Sequence, residues 1–258
     1  MTKTADSRLG IRPSNVDLEP IADVNGRAQY LSDKANSYYQ ELAKLESDGH
    51  FKQKLNGIYY TPYSLARILM DDLNVSANTK NLSFLDPCAG LGFFIFAFID
   101  NLIDKSVVES ESDFQALISH IYYAEIDSEA AKQFKSLFAE YYENFYGIKL
   151  EFPSSNIFVG DALFEDVPNK GIGKALTSNF KIEKFDLIFT NPPYLLLKKG
   201  QIESNGADAH VKEIAKKLSE TNHFKYLSGV PNLYKLFVEQ INEIWASDSA
   251  EIGLVIPR

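Results

Sequence analysis

Asn191-Pro192-Pro193-Tyr194 follow directly on Phe185-Asp186-Leu187-Ile188-Phe189-Thr190. The apolar run reads as a strand, and two prolines cannot continue a sheet ladder, so the strand must end in a stiff loop. Stiffness fixes two acceptors in space, the Asn191 side-chain oxygen and the Pro192 backbone carbonyl. Tyr194 adds a flat aromatic face beside them. A planar amine with two N–H groups would find two acceptors and a stacking partner there. The bland reading of the same four residues is a proline-stiffened turn with an Asn cap, and the preceding strand favours the chemical one.

Three more clusters stand at the ends of apolar runs. Asp86-Pro87-Cys88-Ala89-Gly90-Leu91-Gly92-Phe93 follows one candidate strand and opens a helix. Gly90 and Gly92 let the backbone turn sharply and approach a ligand, and the helix start behind them offers N–H groups to a carboxylate or phosphate. They equally suit a plain tight turn, and Ile95 stands where a dinucleotide fingerprint would place its last glycine. In Tyr123-Ala124-Glu125-Ile126-Asp127, Glu125 could accept hydrogen bonds from two ribose hydroxyls, or be a solvated loop acid. Asp127 suits the N-cap of the next helix. In Gly160-Asp161-Ala162-Leu163-Phe164, Asp161 could accept from the exocyclic amine of an adenine, although Gly-Asp is also a common turn pair.

The elements that must position these clusters alternate. Leu82 to Leu85, Ile121 to Ala124, Ile157 to Val159, Phe185 to Phe189 and Ile252 to Ile256 read as strands. Phe93 to Leu102, Ser128 to Tyr142 and Leu233 to Trp245 read as helices. Leu65, Ala66, Ile68, Leu69 and Leu73 give a further helical face, for which Thr61 suits the cap and Pro62 the first position. Strand then helix, repeated, predicts an α/β fold with a mostly parallel sheet covered on both faces. Ligands of such sheets bind at the carboxyl ends of the strands, where all four clusters fall.

Ahead of this core, residues 1 to about 26 read as a mobile tail, and Arg27 to Leu45 as a helix. The expected division is therefore 1–56, a tail with a helical segment, and 57–258, the core. The chain of 258 residues suits one large α/β domain or a domain with a small appendage. It has no apolar run of the roughly 18 residues a membrane span needs, and Met1 to Pro20 lacks the apolar stretch of a secretory signal. With Cys88 the only cysteine, no disulfide framework is possible and a cytoplasmic location is expected. Cys88 reads as a small packing residue. His50, His120, His210 and His223 have no metal-ligand spacing, so no metal is expected. A formal charge of -9 argues against a long grip on a DNA backbone by this chain alone. Residues 195–230 make a long connection carrying Lys198, Lys199, Lys212, Lys216, Lys217 and Lys225. It suits phosphate contact or, over Ala207 to Leu218, a solvated helix.

The order of these clusters resembles the gamma-class amino-methyltransferases that modify adenine N6 in the DNA of restriction-modification systems. Tyr60-Thr61-Pro62 is similar to that family's Thr-Pro element, and Asp86 to Phe94 to its cofactor loop, with Pro87, Ala89, Gly90 and Gly92 inside it. Glu125 is similar to its ribose acid, Asp161, beside Ala162, to its acid for the cofactor adenine, and residues 191–194 to its catalytic loop. Asn232 to Phe237 is similar to a further helical element. The resemblance spans about Gly57 to Pro257. It implies a Rossmann-like methyltransferase fold and S-adenosylmethionine as cofactor. It also implies an adenine flipped out of duplex DNA, held by Asn191, Pro192, Pro193 and Tyr194.

The resemblance further implies two more strands and a target-recognition domain after Arg258, from a longer chain or from a partner subunit. A restriction or specificity subunit is a further implied partner. Two rival readings stay open. Similar loops act on a protein glutamine amide or a ribosomal RNA guanine, which are also planar amines; the Thr61-Pro62 element favours DNA adenine. An incomplete chain could instead be a cofactor-binding module without turnover.

Overall fold

The computed structural model describes residues 23–47, 61–168, 170–197, 209–221, 223–225 and 232–256. Within them, apolar residues at helical spacing form α1 (Val24–Ser47), which buries Leu31, Ala35, Tyr38 and Leu42. It begins inside the stretch expected as tail. Helix α2 (Tyr63–Asp71) follows, then β1 (Phe84–Asp86), α3 (Phe93–Asp104), α4 (Glu111–Ile118), β2 (Ile121–Glu125) and α5 (Ser128–Tyr146). The chain continues through β3 (Ile157–Val159), α6 (Ala175–Phe180), β4 (Phe185–Thr190), α7 (Ala209–Glu220), α8 (Leu233–Gln240) and β5 (Ala246–Leu254).

The strands lie in the order β3-β2-β1-β4-β5 and every pairing is parallel. The pleat sends alternate side chains to opposite faces. Phe84, Tyr123, Leu187 and Phe189 enter one apolar layer with α1, α2, α3 and α5. Leu85, Tyr122, Ala124 and Ile188 enter the other with α6, α7, α8 and Trp245. Helix α3 is buried from Phe93 to Ile103, which explains its near-continuous apolar sequence. Burial of each such aromatic contributes on the order of 1.5–3 kcal/mol. The predicted doubly covered α/β sheet is thus the one found. No helix among the described residues is long and apolar enough to cross a membrane.

Several local expectations change. Pro62, not Thr61, is the N-cap of α2. Its carbonyl accepts the Leu65 and Ala66 N–H groups at 3.0 and 3.1 Å, and no side chain caps the helix. A proline there leaves no N–H needing a partner, so Thr61 is freed from capping. Strand β5 starts at Ala246, six residues before the expected Ile252. Its opening Ser-Asp-Ser stretch falls in a register irregularity between the Ala246 and Glu251 pairings and stays largely exposed, so it carries no apolar alternation. The helix expected to reach Trp245 is regular only to Gln240 and ends in a wide turn over Ile241–Trp245. Helices α4 and α6, eight and six residues long, had no expectation at all. Tyr60 and the rest of 48–60 lie outside the described residues, as do Lys198 and Lys199.

A buried polar knot ties α1 to the core. Asp100 on α3 is fully buried and accepts from the hydroxyls of Tyr63 at 2.6 Å, Tyr146 at 2.9 Å and Tyr141. Arg27 on α1, also buried, pairs with Asp100 at 3.5 Å and with Asp104 at 2.9 Å. Burial pushes the Asp100 carboxyl up, and Arg27 and the hydroxyls oppose that. Removing one partner of a buried pair leaves the other charge uncompensated. Arg27→Met is therefore expected to destabilise the protein by about 3–5 kcal/mol, read as a lower urea midpoint with an unchanged slope.

Candidate active site

The Asp86–Gly92 loop turns because two of its residues have no side chain. Gly90 and Gly92 sit at φ 52° and 79°, the left-handed region. Gly92 is also the N-cap of α3, and a Cβ there would come within 2.4 Å of the Phe134 ring. The loop is wired to the end of β2. Ala89 N–H donates to the Ala124 carbonyl at 2.9 Å, Gly90 N–H to Glu125 Oε2 at 2.8 Å, and Tyr123 hydroxyl to the Gly90 carbonyl at 2.7 Å.

Glu125 ends β2. Its other oxygen accepts from the Ile126 and Asp127 N–H groups at 2.9 and 3.0 Å. Burial pushes this carboxyl up, and the three N–H groups hold it back. A carboxylate has about four acceptor positions, so a hydroxyl can still be received. Asp127 caps α5 as expected, accepting Glu129 N–H at 2.8 Å. Ile126, between the two acids, is 53 % exposed. An exposed apolar side chain at a strand's carboxyl end offers a surface for a planar ring. Its only signal in the sequence is an apolar residue flanked by two acids.

Asp86 is almost fully buried. Its Oδ1 accepts Cys88 N–H at 3.2 Å, and its Oδ2 has no hydrogen-bond partner. Burial drives its carboxyl up to about 8; the nearby Thr190 hydroxyl and the Cys88 N–H oppose this, and Glu125 adds to it. The Thr190 hydroxyl, at the end of β4, is buried near the Asp86 carboxyl but outside full hydrogen-bonding geometry with it. Burial and the surrounding acids push the Cys88 thiol well up, which disfavours a thiolate nucleophile.

A cleft of about 310 Å³, counted out to open solvent, opens over the Asp86–Gly90 loop, and Glu125, Ile126 and Asp161 stand outside its walls. Its walls include Thr61, Asp86, Ala89, Gly90 and Asn191, and also Tyr39 from α1. Five predicted site residues from three separate segments thus meet in one place. Asn191 leaves β4 at the cleft, Pro192 is buried behind it, and Pro193 and Tyr194 are half-buried. Tyr194 departs from the expected open stacking face. Its hydroxyl is within hydrogen-bonding reach of the Asn191 side-chain oxygen and of the Val255 carbonyl, the latter at 2.7 Å. Its ring meets Tyr234 edge-on at 6.3 Å. Asn232 caps α8 by accepting Tyr234 N–H, and Leu233 N–H donates to the Leu195 carbonyl at 3.0 Å. The Asn232–Phe237 element therefore braces the 191–194 loop.

Asp161 lies one strand beyond Glu125, whose carbonyl accepts Gly160 N–H at 3.0 Å. Its Oδ1 accepts the Leu163 and Phe164 N–H groups, and its Oδ2 faces Lys217 of α7 at 3.3 Å. Ala162 is buried in the apolar layer rather than on the cleft. Pro62, Pro87 and Gly92 border the walls of the cleft without lining it.

Residues 103–258 match the family model described as Eco57I restriction-modification methylase. No curated protein sequence matches the chain. Among solved structures, the type ISP restriction-modification enzyme LlaBIII bound to DNA is 19% identical with a TM-score of 0.53. The match covers 83% of this chain and 16% of that one. The DrdV–DNA complex is 18% identical at TM-score 0.53, with 86% and 22% covered. A nuclease-deletion mutant of the type ISP enzyme LlaGI, in complex with a DNA substrate mimic, gives 18%, 0.53, 83% and 22%. At this identity the likeness establishes the Rossmann-like fold, and the chain spans less than a quarter of the length of these structures.

Proposed function

This chain belongs to the Eco57I restriction-modification methylase family, and on that premise we propose that it is the catalytic core of a gamma-class DNA methyltransferase. It would move a methyl group from S-adenosylmethionine to N6 of an adenine flipped out of the duplex. The observation that carries this reading is the meeting of Asn191 with the Asp86–Gly90 loop on one cleft.

The residues present fit such a cofactor. Asp86 Oδ2 is a buried acceptor without a partner, suited to a cationic ligand. Glu125 keeps room for ribose hydroxyls, Ile126 offers an apolar face to a purine, and Gly90 admits close backbone approach. Asp161 would receive the adenine amine once Lys217 yields that oxygen. Tyr60, Thr61, Pro62, Pro87, Ala89 and Gly92 complete the proposed cofactor site, with Ala162 a packing residue next to Asp161. When bound, S-adenosylmethionine supplies a methyl group activated on sulfur.

The chain's own residues supply the rest. The amine nitrogen of adenine is a poor nucleophile because its lone pair is delocalised into the ring. Asn191 Oδ1 and the Pro192 carbonyl would accept its two hydrogens and favour a pyramidal nitrogen with a localised pair. Catalysis is then positioning and electrostatics without a strong base. For this the Tyr194 hydroxyl must leave Asn191 Oδ1, which frees the ring to stack on the base. Stacking contributes about 1–3 kcal/mol. Tyr194→Phe keeps the ring and removes the competing hydroxyl. It is expected to hold the rate within about threefold while Tyr194→Ala loses about tenfold or more, measured as initial rates at saturating cofactor.

Residues 57–258 form the proposed core, acting in the cytoplasm, with 1–56 as an appended helical segment. Target recognition by a further domain or partner subunit, with a restriction or specificity subunit alongside, would supply the basic DNA-contacting surface that a charge of -9 leaves short. Family membership favours DNA over a glutamine amide or a ribosomal RNA guanine. The test is mass spectrometry of nucleosides from unmethylated DNA incubated with the protein and S-adenosylmethionine. N6-methyldeoxyadenosine supports the reading, and methylation confined to cytosine, RNA or protein would refute it.

A further inference from the structure

Tyr39 stands on α1, outside every motif above, yet its side chain lines the same cleft as Thr61, Asp86, Gly90 and Asn191. It is held on a rigid element. Its neighbour Tyr38 is buried in the core and meets it edge-on at 5.6 Å, and α1 is anchored through Arg27 to Asp100 and Asp104. The remaining walls are a buried carboxylate, the glycine-loop backbone, Leu91, Phe93 and Phe94. A ligand group seated here meets one acid, aromatic side chains and the polar side chains of Thr61 and Asn191. That surround suits a cation of low hydration better than a neutral polar group. An aromatic ring attracts such a cation through its quadrupole.

Resting on the methyltransferase reading above, we propose that Tyr39 is a further binding residue: its ring lies against the sulfonium region of the methyl donor and favours the cationic donor over the neutral product left after transfer. The N-terminal helix is then part of the site. An exposed-to-desolvated cation–aromatic contact corresponds to about threefold to thirtyfold in affinity.

The experiment is calorimetric titration of the wild-type protein, Tyr39→Phe and Tyr39→Leu with S-adenosylmethionine and, separately, with S-adenosylhomocysteine. The expected result is that Tyr39→Leu weakens the donor by threefold to thirtyfold and leaves the product nearly unchanged, while Tyr39→Phe keeps both affinities. Unchanged product binding also reports an intact fold. Should Tyr39→Leu fail to fold, Tyr39→Gln at this half-buried helical position repeats the test. Equal weakening of both ligands, or of neither, would overturn the proposal while leaving the cofactor assignment standing. A wild-type protein that binds neither ligand would overturn both together.

Discussion

Asn191→Ala is expected to lower the rate of methyl transfer by about 10²–10³-fold while leaving S-adenosylmethionine affinity within about threefold. The split follows from where Asn191 sits. It reaches the cleft from the end of β4, on the opposite side of β1 from Glu125 and Asp161, which are the proposed cofactor acids. Its amide oxygen is the side-chain acceptor proposed to receive the planar amine, and two prolines keep the loop from adjusting to its loss. An interaction realised mainly as the nitrogen becomes pyramidal lowers kcat and kcat/KM together. The measurement is single-turnover transfer beside a cofactor titration of the same variant. Equal loss of cofactor binding and rate would place Asn191 in the cofactor half of the cleft instead.

Asp86→Asn is expected to stabilise the fold and weaken the site at once. The folded carboxyl rises to about 8 from an ordinary 3.8. Between those values the folded state holds a proton that the unfolded state has released. Stability therefore falls as pH rises from about 4 to about 8, and the full penalty is present above 8. An amide carries no such penalty, so the variant gains on the order of 3–5 kcal/mol at pH 8.5 and almost nothing at pH 4. Denaturant melts at the two pH values read this directly; an equal gain at both would remove the buried charge as the cause. The cost is in binding. A cationic ligand favours ionised Asp86, so wild-type affinity should rise with pH toward 8, with proton release near pH 7. The ligand's own amino group also titrates there, and the Asp86→Asn protein, lacking the carboxyl, isolates the part due to Asp86. A site acid that weakens the fold it belongs to is the usual compromise of a binding cleft.

Strands β1, β2 and β4 were readable because they are short, mostly buried apolar runs, each followed by a helix. Asp86, Glu125 and Asp161 were readable because parallel sheets place ligands at the carboxyl ends of strands. What escaped reading has specific causes. The first half of β5 is polar and falls in a register irregularity opposite β4, so period-two alternation never appears there. Helices α4 and α6 are too short to establish a period. Tyr39 is one aromatic among several on an amphipathic helix, and only the tertiary fold brings α1 to the cleft. The Tyr194 hydroxyl turned toward Asn191 depends on Val255, which approaches only once β5 has paired with β4. Lys217 reaches Asp161 from α7, fifty-six residues along the chain, a pairing that spacing cannot reveal.

The central claim is that the glycine-loop cleft beside Asn191 holds S-adenosylmethionine. It is tested most directly by calorimetric titration of the protein with S-adenosylmethionine at pH 8, with Asp86→Asn in parallel. The account predicts saturable one-to-one binding by the wild-type protein, weakened about tenfold or more in the variant. A wild-type protein that melts cooperatively yet takes up no S-adenosylmethionine, or a variant that binds it equally well, would contradict the account.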